Sequence, residues 1–324
     1  MDRRKFIKVG AAAAAATAVS APATLQAAES SIMKGIASSG KAREYSSESG
    51  EATKADLLVR FLGTGAADWN GKDERGEQRR LSSALFDGKV LIDYTKTDED
   101  MLPEGFKKPD AVFYTHSHGD HYNAKAELEK IGSRVIYVSE TWYERARKEF
   151  ADAARELGKY GPEVRPLSIG QKIQVAGLTI TALPGNHSTS DMKEQTLIYL
   201  VEKGSVRVLY ATDTGGIPIM AARRIGIDAH IPDGKPITGL IMEATMGMDY
   251  DEDFRIFTHS SVGTVLRTAK VLLATKRLVA PAGQPVYLTH MARTLHGTQA
   301  ELDAQLPEPL RAAYDGLEVI FRAI

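Results

Sequence analysis

Three histidines and an aspartate fall within six residues, His116-Ser117-His118-Gly119-Asp120-His121. Imidazole nitrogen and carboxylate oxygen are donors that zinc, iron and manganese accept. The run 111–115 ahead of the cluster is β-type, so the donors stand where a rigid strand gives way to a loop free to aim them. In an extended segment His116 and His118 point the same way, because the repeat is two. Asp120 and His121 follow where the chain turns. One short segment can therefore serve two cations, two histidines to one and the Asp–His pair to the other. A single histidine would more often be structural, but the whole chain holds only 8, and three of them crowd here.

Composition narrows the chemistry further. The chain has 324 residues, 43% hydrophobic and 26% charged, enough for one large α/β domain or two small ones with a sizeable core. A net charge of −1 supplies no basic field for nucleic acid or an anionic membrane surface. Cysteine is absent, which excludes disulfides, thiolate ligands, a cysteine nucleophile and a lipoprotein anchor. Any site for a soft metal must be built from histidine and carboxylate.

Residues 1–28 read as an address. Positive residues up to Lys8 precede an alanine-rich stretch to about Val19 and small residues from Ala21 to Ala28, the parts of a secretory signal. Arg3-Arg4 with Phe6 and Lys8 resembles the twin-arginine export signal. That implies passage through the twin-arginine translocation machinery, a periplasmic or secreted product, and no membrane anchor in the mature form. The apolar stretch is too short and too weakly apolar to span a bilayer well. Cleavage after Ala23 or Ala27 fits equally. Residues 29–55, rich in Ser, Gly, Ala, Lys and Glu, read as a flexible tether.

From residue 56 to 324 short β-type runs alternate with helical stretches. Strands are expected at 57–62, 83–86, 90–94, 111–115 and 135–138, then at 173–175, 178–183, 197–201, 206–211, 239–242, 286–289 and 317–321. Apolar positions three or four apart predict helices over 141–157, 260–273 and 298–306, with Ser260 or Ser261 as a cap. No repeat of fixed period appears. Two groups of strands, each followed by helices, predict an α/β fold of two packed sheets with helices outside, as one domain over 56–324.

His116-x-His118-x-Asp120-His121 resembles the signature of the metallo-β-lactamase superfamily. The resemblance implies an αββα sandwich of two mixed sheets and later ligands in a fixed order. Asn186-His187, Thr212-Asp213-Thr214-Gly215 and Thr289-His290 each end a β-type run and match that order. It implies that His116, His118 and His187 hold one metal, that Asp120, His121 and His290 hold the other, and that Asp213 bridges them. The cofactors implied are two divalent ions, Zn2+ first and Mn2+ or Fe2+ as alternatives. The family's glycine soon after the cluster is replaced here by Tyr122-Asn123-Ala124-Lys125.

The superfamily hydrolyses β-lactams, thioesters, lactones and phosphodiesters, so fold alone does not choose a substrate. Phe61-Leu62-Gly63-Thr64-Gly65-Ala66-Ala67, Arg79-Arg80-Leu81-Ser82-Ser83 and Leu91-Ile92-Asp93 resemble ribonuclease Z and the cyclic-phosphate phosphodiesterases. Glu243-Ala244-Thr245 followed by His259-Ser260 is similar to the ribonuclease Z pair in which the histidine protonates a leaving oxygen and the glutamate orients it. The resemblance implies catalysis by Asp120, which also holds a metal-bridging hydroxide, with His259 and Glu243. The absence of cysteine argues against a β-lactamase. The interval before His187 carries a predicted helix and no Gly/Pro-rich tRNA-binding arm, so no nucleic-acid partner is expected. A small phosphodiester or cyclic phosphate is the expected substrate. A carboxyl ester or lactone comes second, and a non-catalytic metal-binding module third. Arg293 stands three residues past His290 as a phosphate clamp or a surface charge, and His296 as a further substrate contact. His230, beside Pro232, is incidental. Family members often pair, which admits a homodimer.

Overall fold

Side-chain alternation along the strands decides the layering. The structure, a computed structural model, describes residues 52–231 and 233–323. The export signal and most of the tether lie outside these residues. In chain order the strands are β1 (Leu57–Gly63), β2 (Ser83–Phe86), β3 (Val90–Ile92), β4 (Ala111–Phe113), β5 (Val135–Ser139) and β6 (Glu163–Leu167). Then come β7 (Lys172–Val175), β8 (Leu178–Pro184), β9 (Leu197–Lys203), β10 (Val206–Ala211), β11 (Gly239–Glu243), β12 (Val286–Thr289), β13 (Leu310–Ala312) and β14 (Glu318–Phe321). They form two seven-stranded sheets, ordered β14-β1-β2-β3-β4-β5-β6 and β13-β12-β11-β10-β9-β8-β7. Each is mixed: β1 to β3 and β7 to β10 pair antiparallel, whereas β3 to β6 and β10 to β13 pair parallel.

Alternate residues feed separate cores. Val59 and Phe61, Phe86, Ile92 and Phe113 face Ile180, Tyr199, Val208 and Tyr210 of the second sheet. Leu62, Leu85, Leu91 and Val112 point the other way, onto the helix α1 (Tyr143–Leu157) and a helical turn with the π turn Glu127–Ile131. On the far face of the second sheet, Ile198, Leu200, Leu209 and Met242 meet α2 (Ile219–Ile225) and α3 (Val262–Ala274), with α4 (Gln299–Gln305) beside them. The expected sandwich of two mixed sheets with helices on the outer faces is what forms.

Some elements differ from the sequence reading. β6, β13 and α2 were not expected. β6 reads Glu-Val-Arg-Pro-Leu and sits at a sheet edge, where exposed polar residues and a proline hide the strand pattern. β13 has three residues and α2 seven, too short for periodicity to register. β3 and β4 end two residues early, because Asp93 turns left-handed (φ 58°) and the chain beyond β4 breaks away toward the site. Ser261, rather than Ser260, caps α3, accepting from Thr264 N at 3.0 Å.

Strands β8, β10, β11 and β12 run in one direction, so their carboxyl ends share one edge. The first sheet is stitched to that edge by Thr115 O, which accepts from Leu197 N, and by Met291 O, which accepts from Ala66 N. Three residues before Ala66, Gly63 lets β1 pass the 80–81 segment of its own sheet. A Cβ there would lie 1.8 Å from Leu81 O, so only glycine lets the two segments pass.

Candidate metal centre

Every predicted ligand stands at the carboxyl end of a strand: 116–121 after β4, His187 after β8, Asp213 after β10 and His290 after β12. The cluster segment turns on His118, whose carbonyl accepts from His121 N at 3.1 Å and Tyr122 N at 2.9 Å. Asn123 then caps the helical turn by accepting from Ala126 N at 2.9 Å, which explains how the segment closes without the family's glycine. Glu194 fixes the loop from outside, accepting from Ser117 N at 2.8 Å, Ser117 Oγ at 2.6 Å and Thr189 Oγ1 at 3.1 Å.

The donors gather into sets whose atoms lie within 4.8 Å of one another. His116, His118, His187 and Asp213 form one, and Asp120, His121, Asp213 and His290 form another. Asp213 belongs to both, with carboxylate oxygens 3.1 Å from His116 Nε2, 2.9 Å from His121 Nε2 and 3.0 Å from His290 Nε2. Asp213 and His290 hold left-handed backbones, φ 45° and 53°, which non-glycine residues seldom adopt unless the surroundings impose it.

Each inner imidazole is oriented through its Nδ1 atom. That of His121 contacts Asp93 Oδ2 at 2.8 Å, His290 meets Thr245 Oγ1 at 2.8 Å, and His116 meets Thr115 Oγ1 at 3.0 Å. His187 Nδ1 donates to Thr258 O at 3.2 Å. Their Nε2 atoms are thereby turned inward, while His118 presents Nδ1, 3.0 Å from His116 Nε2 and 3.2 Å from His187 Nε2.

Charge follows this geometry. Burial, with the neighbouring His121, pushes His116 down to about 4, and burial pushes His187 down to about 4 as well. Both are thus neutral and ready to ligate. Burial opposes a charge on His290, yet Asp213 and Asp120 carry it up to about 10. Burial likewise opposes a charged His121, which Asp213, Asp120 and Asp93 lift well above the usual histidine range. Desolvation would raise Asp213, but His290 and His121 hold it far below the ordinary carboxylate range. His121 Nε2 and Asp213 Oδ1 are buried without a hydrogen bond of good geometry, although His121 Nε2 lies 2.9 Å from Asp213 Oδ2 and Asp213 Oδ1 lies 3.0 Å from His290 Nε2. Converging imidazole and carboxylate donors with orphaned inner atoms fit cations, so the His/Asp clusters are capable of binding metal.

Beside the clusters opens a cavity of about 260 Å³, lined on the polar side by His118, Asp120, His187, His259 and Arg255 and on the apolar side by small residues such as Ala66 and Ala292. His259 lies on its wall with Nδ1 3.1 Å from Glu243 Oε1. Glu243 is fully buried and also accepts from Thr214 N at 2.7 Å and Thr245 N at 3.0 Å. Burial works against a charge on His259, but the Glu243 carboxylate and Asp213 raise its pKa above the usual value.

Two expectations need correction. Arg293 does not line the cavity: its side chain turns to Glu74 at 3.4 Å, and its backbone N–H donates to Asp68 at 2.8 Å. His296 does not either, because its Nε2 donates to Ala244 O at 2.7 Å and ties a loop to the Glu243 turn. Burial holds His296 down to about 4. The cationic side chain that does reach the cavity is Arg255, which the sequence reading passed over. Its position four residues before His259 was the available signal. His230 is exposed and contacts Asp228, as an incidental residue would.

Residues 92–291 match the β-lactamase superfamily domain. The chain belongs to that family. Among curated relatives of this superfamily member is a UPF0173 metal-dependent hydrolase of Pyrococcus horikoshii, 28% identical over 132 residues, 39% of this chain and 54% of the relative. The chain thus spans about half the length of that relative. Among solved structures it resembles Zn2+-bound PqqB of Methylobacterium extorquens (TM-score 0.58, 16% identity, 81% of this chain and 99% of that one). It also resembles the short form of human tRNase Z (TM-score 0.55, 15% identity, 81% and 98%). At such identities the likeness is one of metallo-β-lactamase fold.

Proposed function

We propose that this superfamily member is a metal-dependent hydrolase acting on a small phosphodiester or cyclic phosphate. The observation that carries the reading is the His259–Glu243 pair at 3.1 Å, set on the cavity wall beside the His/Asp clusters. Two divalent ions would be held, one by His116, His118 and His187 and one by Asp120, His121 and His290, with Asp213 shared. Zn2+ suits these nitrogen and oxygen donors best, with Mn2+ or Fe2+ as alternatives. Such ions supply Lewis-acid activation of water and neutralise charge developing on phosphoryl oxygens.

The chain's own residues do the rest. Asp120, 3.4 Å from both His121 and His290, sits where it can accept a proton from an attacking water while ligating. His259 keeps Nδ1–H on Glu243, which leaves its Nε2–H to protonate the departing oxygen. A departing alkoxide is a poor leaving group, so a charged histidine at that place suits cleavage of an alkyl phosphodiester. That a relative is known as a metal-dependent hydrolase supports the reaction class. The Arg3-Arg4 leader supports export by the twin-arginine route to the periplasm or beyond.

The test is metal analysis of the purified protein with a panel of bis(4-nitrophenyl) phosphate, cyclic phosphates, esters, lactones and β-lactams. Diester cleavage above the others, lost on chelation, is expected. A two-metal protein that cleaves esters or lactones but no diester would overturn the phosphodiester reading. One that cleaves nothing would make it a binding module.

A further inference from the structure

We propose that the turn Phe254–Phe257 is the recognition wall of the cavity: Arg255 binds the phosphoryl group and Phe254 with Phe257 carry an apolar substituent of the substrate. This rests on the phosphodiester reading and narrows it, from any small diester to one with an alkyl or aryl body beside the phosphorus.

Arg255 is the arginine among the cavity-lining residues. Asp253 clamps its Nε at 2.9 Å and Nη2 at 3.0 Å, which aims the guanidinium and leaves Nη1 for an anion. The turn is tied to the metal centre at several points. Thr258 O takes the Nδ1–H of His187 at 3.2 Å, and Arg255 O takes the backbone N–H of His259 at 2.7 Å. Gly215, two residues past Asp213, lies so close that an added Cβ would come 2.7 Å from Ile256 O. A group bound by Arg255 is therefore held in register with His259 and the clusters.

Phe254 and Phe257 are 78% and 77% exposed. Three residues apart on a 3-10 turn, they share one edge. The Arg255 guanidinium lies 5.6 Å from the Phe254 ring centroid, so the anion site and the aromatic edge are contiguous. Two exposed aromatic residues flanking a cavity-lining arginine on one turn fit a ligand with a charged head and an apolar body.

The experiment measures binding of methyl-, butyl- and octylphosphonate to the metal-loaded protein by calorimetry. Each buried methylene is worth roughly fourfold in affinity, so octylphosphonate is expected to bind about tenfold or more tighter than methylphosphonate. The double variant Phe254→Ala/Phe257→Ala should bring octylphosphonate down to the methylphosphonate level. Arg255→Met should weaken the whole series by about tenfold while keeping its order. Equal affinity along the series, or a gradient that survives the double variant, overturns the proposal. So does a wild-type dimer, seen by sedimentation, that the double variant dissolves, because a second copy would then own the aromatic edge. A metal-loaded protein that binds no phosphonate and cleaves no diester instead sinks the phosphodiester reading, and this inference with it.

Discussion

Asp93 Oδ2 lies 2.8 Å from His121 Nδ1, and both residues are completely buried. The same carboxylate accepts from Thr115 N and Thr115 Oγ1, each at 2.8 Å, so it locks the strand end and the imidazole together. A carboxylate behind a ligating histidine fixes its tautomer and raises its basicity. Asp93→Asn, which tolerates the left-handed backbone and retains hydrogen bonding, should weaken metal binding about 10- to 100-fold with little loss of fold. Chelator competition reads this directly. Wild-type metal affinity in the variant would remove Asp93 from the site.

The Glu243–His259 pair makes a pH prediction. A general acid works while protonated, so activity falls as pH rises through its pKa. Glu243 raises that pKa, hence Glu243→Gln should move the falling limb of the rate profile to lower pH. Bound cations act on both proteins alike, so the direction of the difference stands. His259→Ala should lower kcat by about 10²-fold or more with metal content retained. An unmoved limb in Glu243→Gln would show that His259 is not the acid.

Loading the site should release protons. In the metal-free chain His290, at about 10, is protonated at neutral pH, and so is His121. Both must become neutral to ligate, so affinity should rise with pH toward about 10. Calorimetry in two buffers of different ionisation heat should show about one proton or more released per protein at pH 7. Heats independent of buffer would contradict this.

Asp98 gives a stability prediction. It is fully buried in the capping box of the turn Lys96–Met101, where its Oδ2 accepts from Thr95 N at 2.8 Å. Burial pushes its pKa up from 3.8 to about 8. The folded chain therefore binds a proton that the unfolded chain has lost between those values, and this contribution to stability declines as pH rises across that window. At full coupling the slope is about 1.4 kcal/mol per pH unit. Asp98→Asn should flatten the difference in denaturant stability between pH 5 and 8, whereas an identical profile in the variant would deny the buried proton.

Much of the framework was legible locally. β-type runs marked twelve of the strands because alternation and branched side chains express themselves within five or six residues. Edge strand β6 and three-residue β13 escaped, since neither carries a long enough pattern. At the site, the order of His116, His118, Asp120, His121, His187, Asp213 and His290 was readable from motifs at strand ends, and the structure gathers them. Arg255 was not, because its one local signal, a place four residues before His259, does not tell which side chain faces a cavity. Arg293, a clamp or a surface charge by its place three residues past His290, turns its side chain to Glu74.

The sequence by itself determined the donor types, the strand ends that carry them and the exclusion of thiolate chemistry, all of which depend on residue identity and short-range pattern. Tertiary structure alone decided that Asp213, 95 positions after 118, stands between two groups of histidines, and that Arg255 rather than Arg293 faces the cavity. Those facts depend on how two sheets pack face to face. That packing is the sum of many weak apolar contacts between distant segments, and no local stretch of chain encodes it.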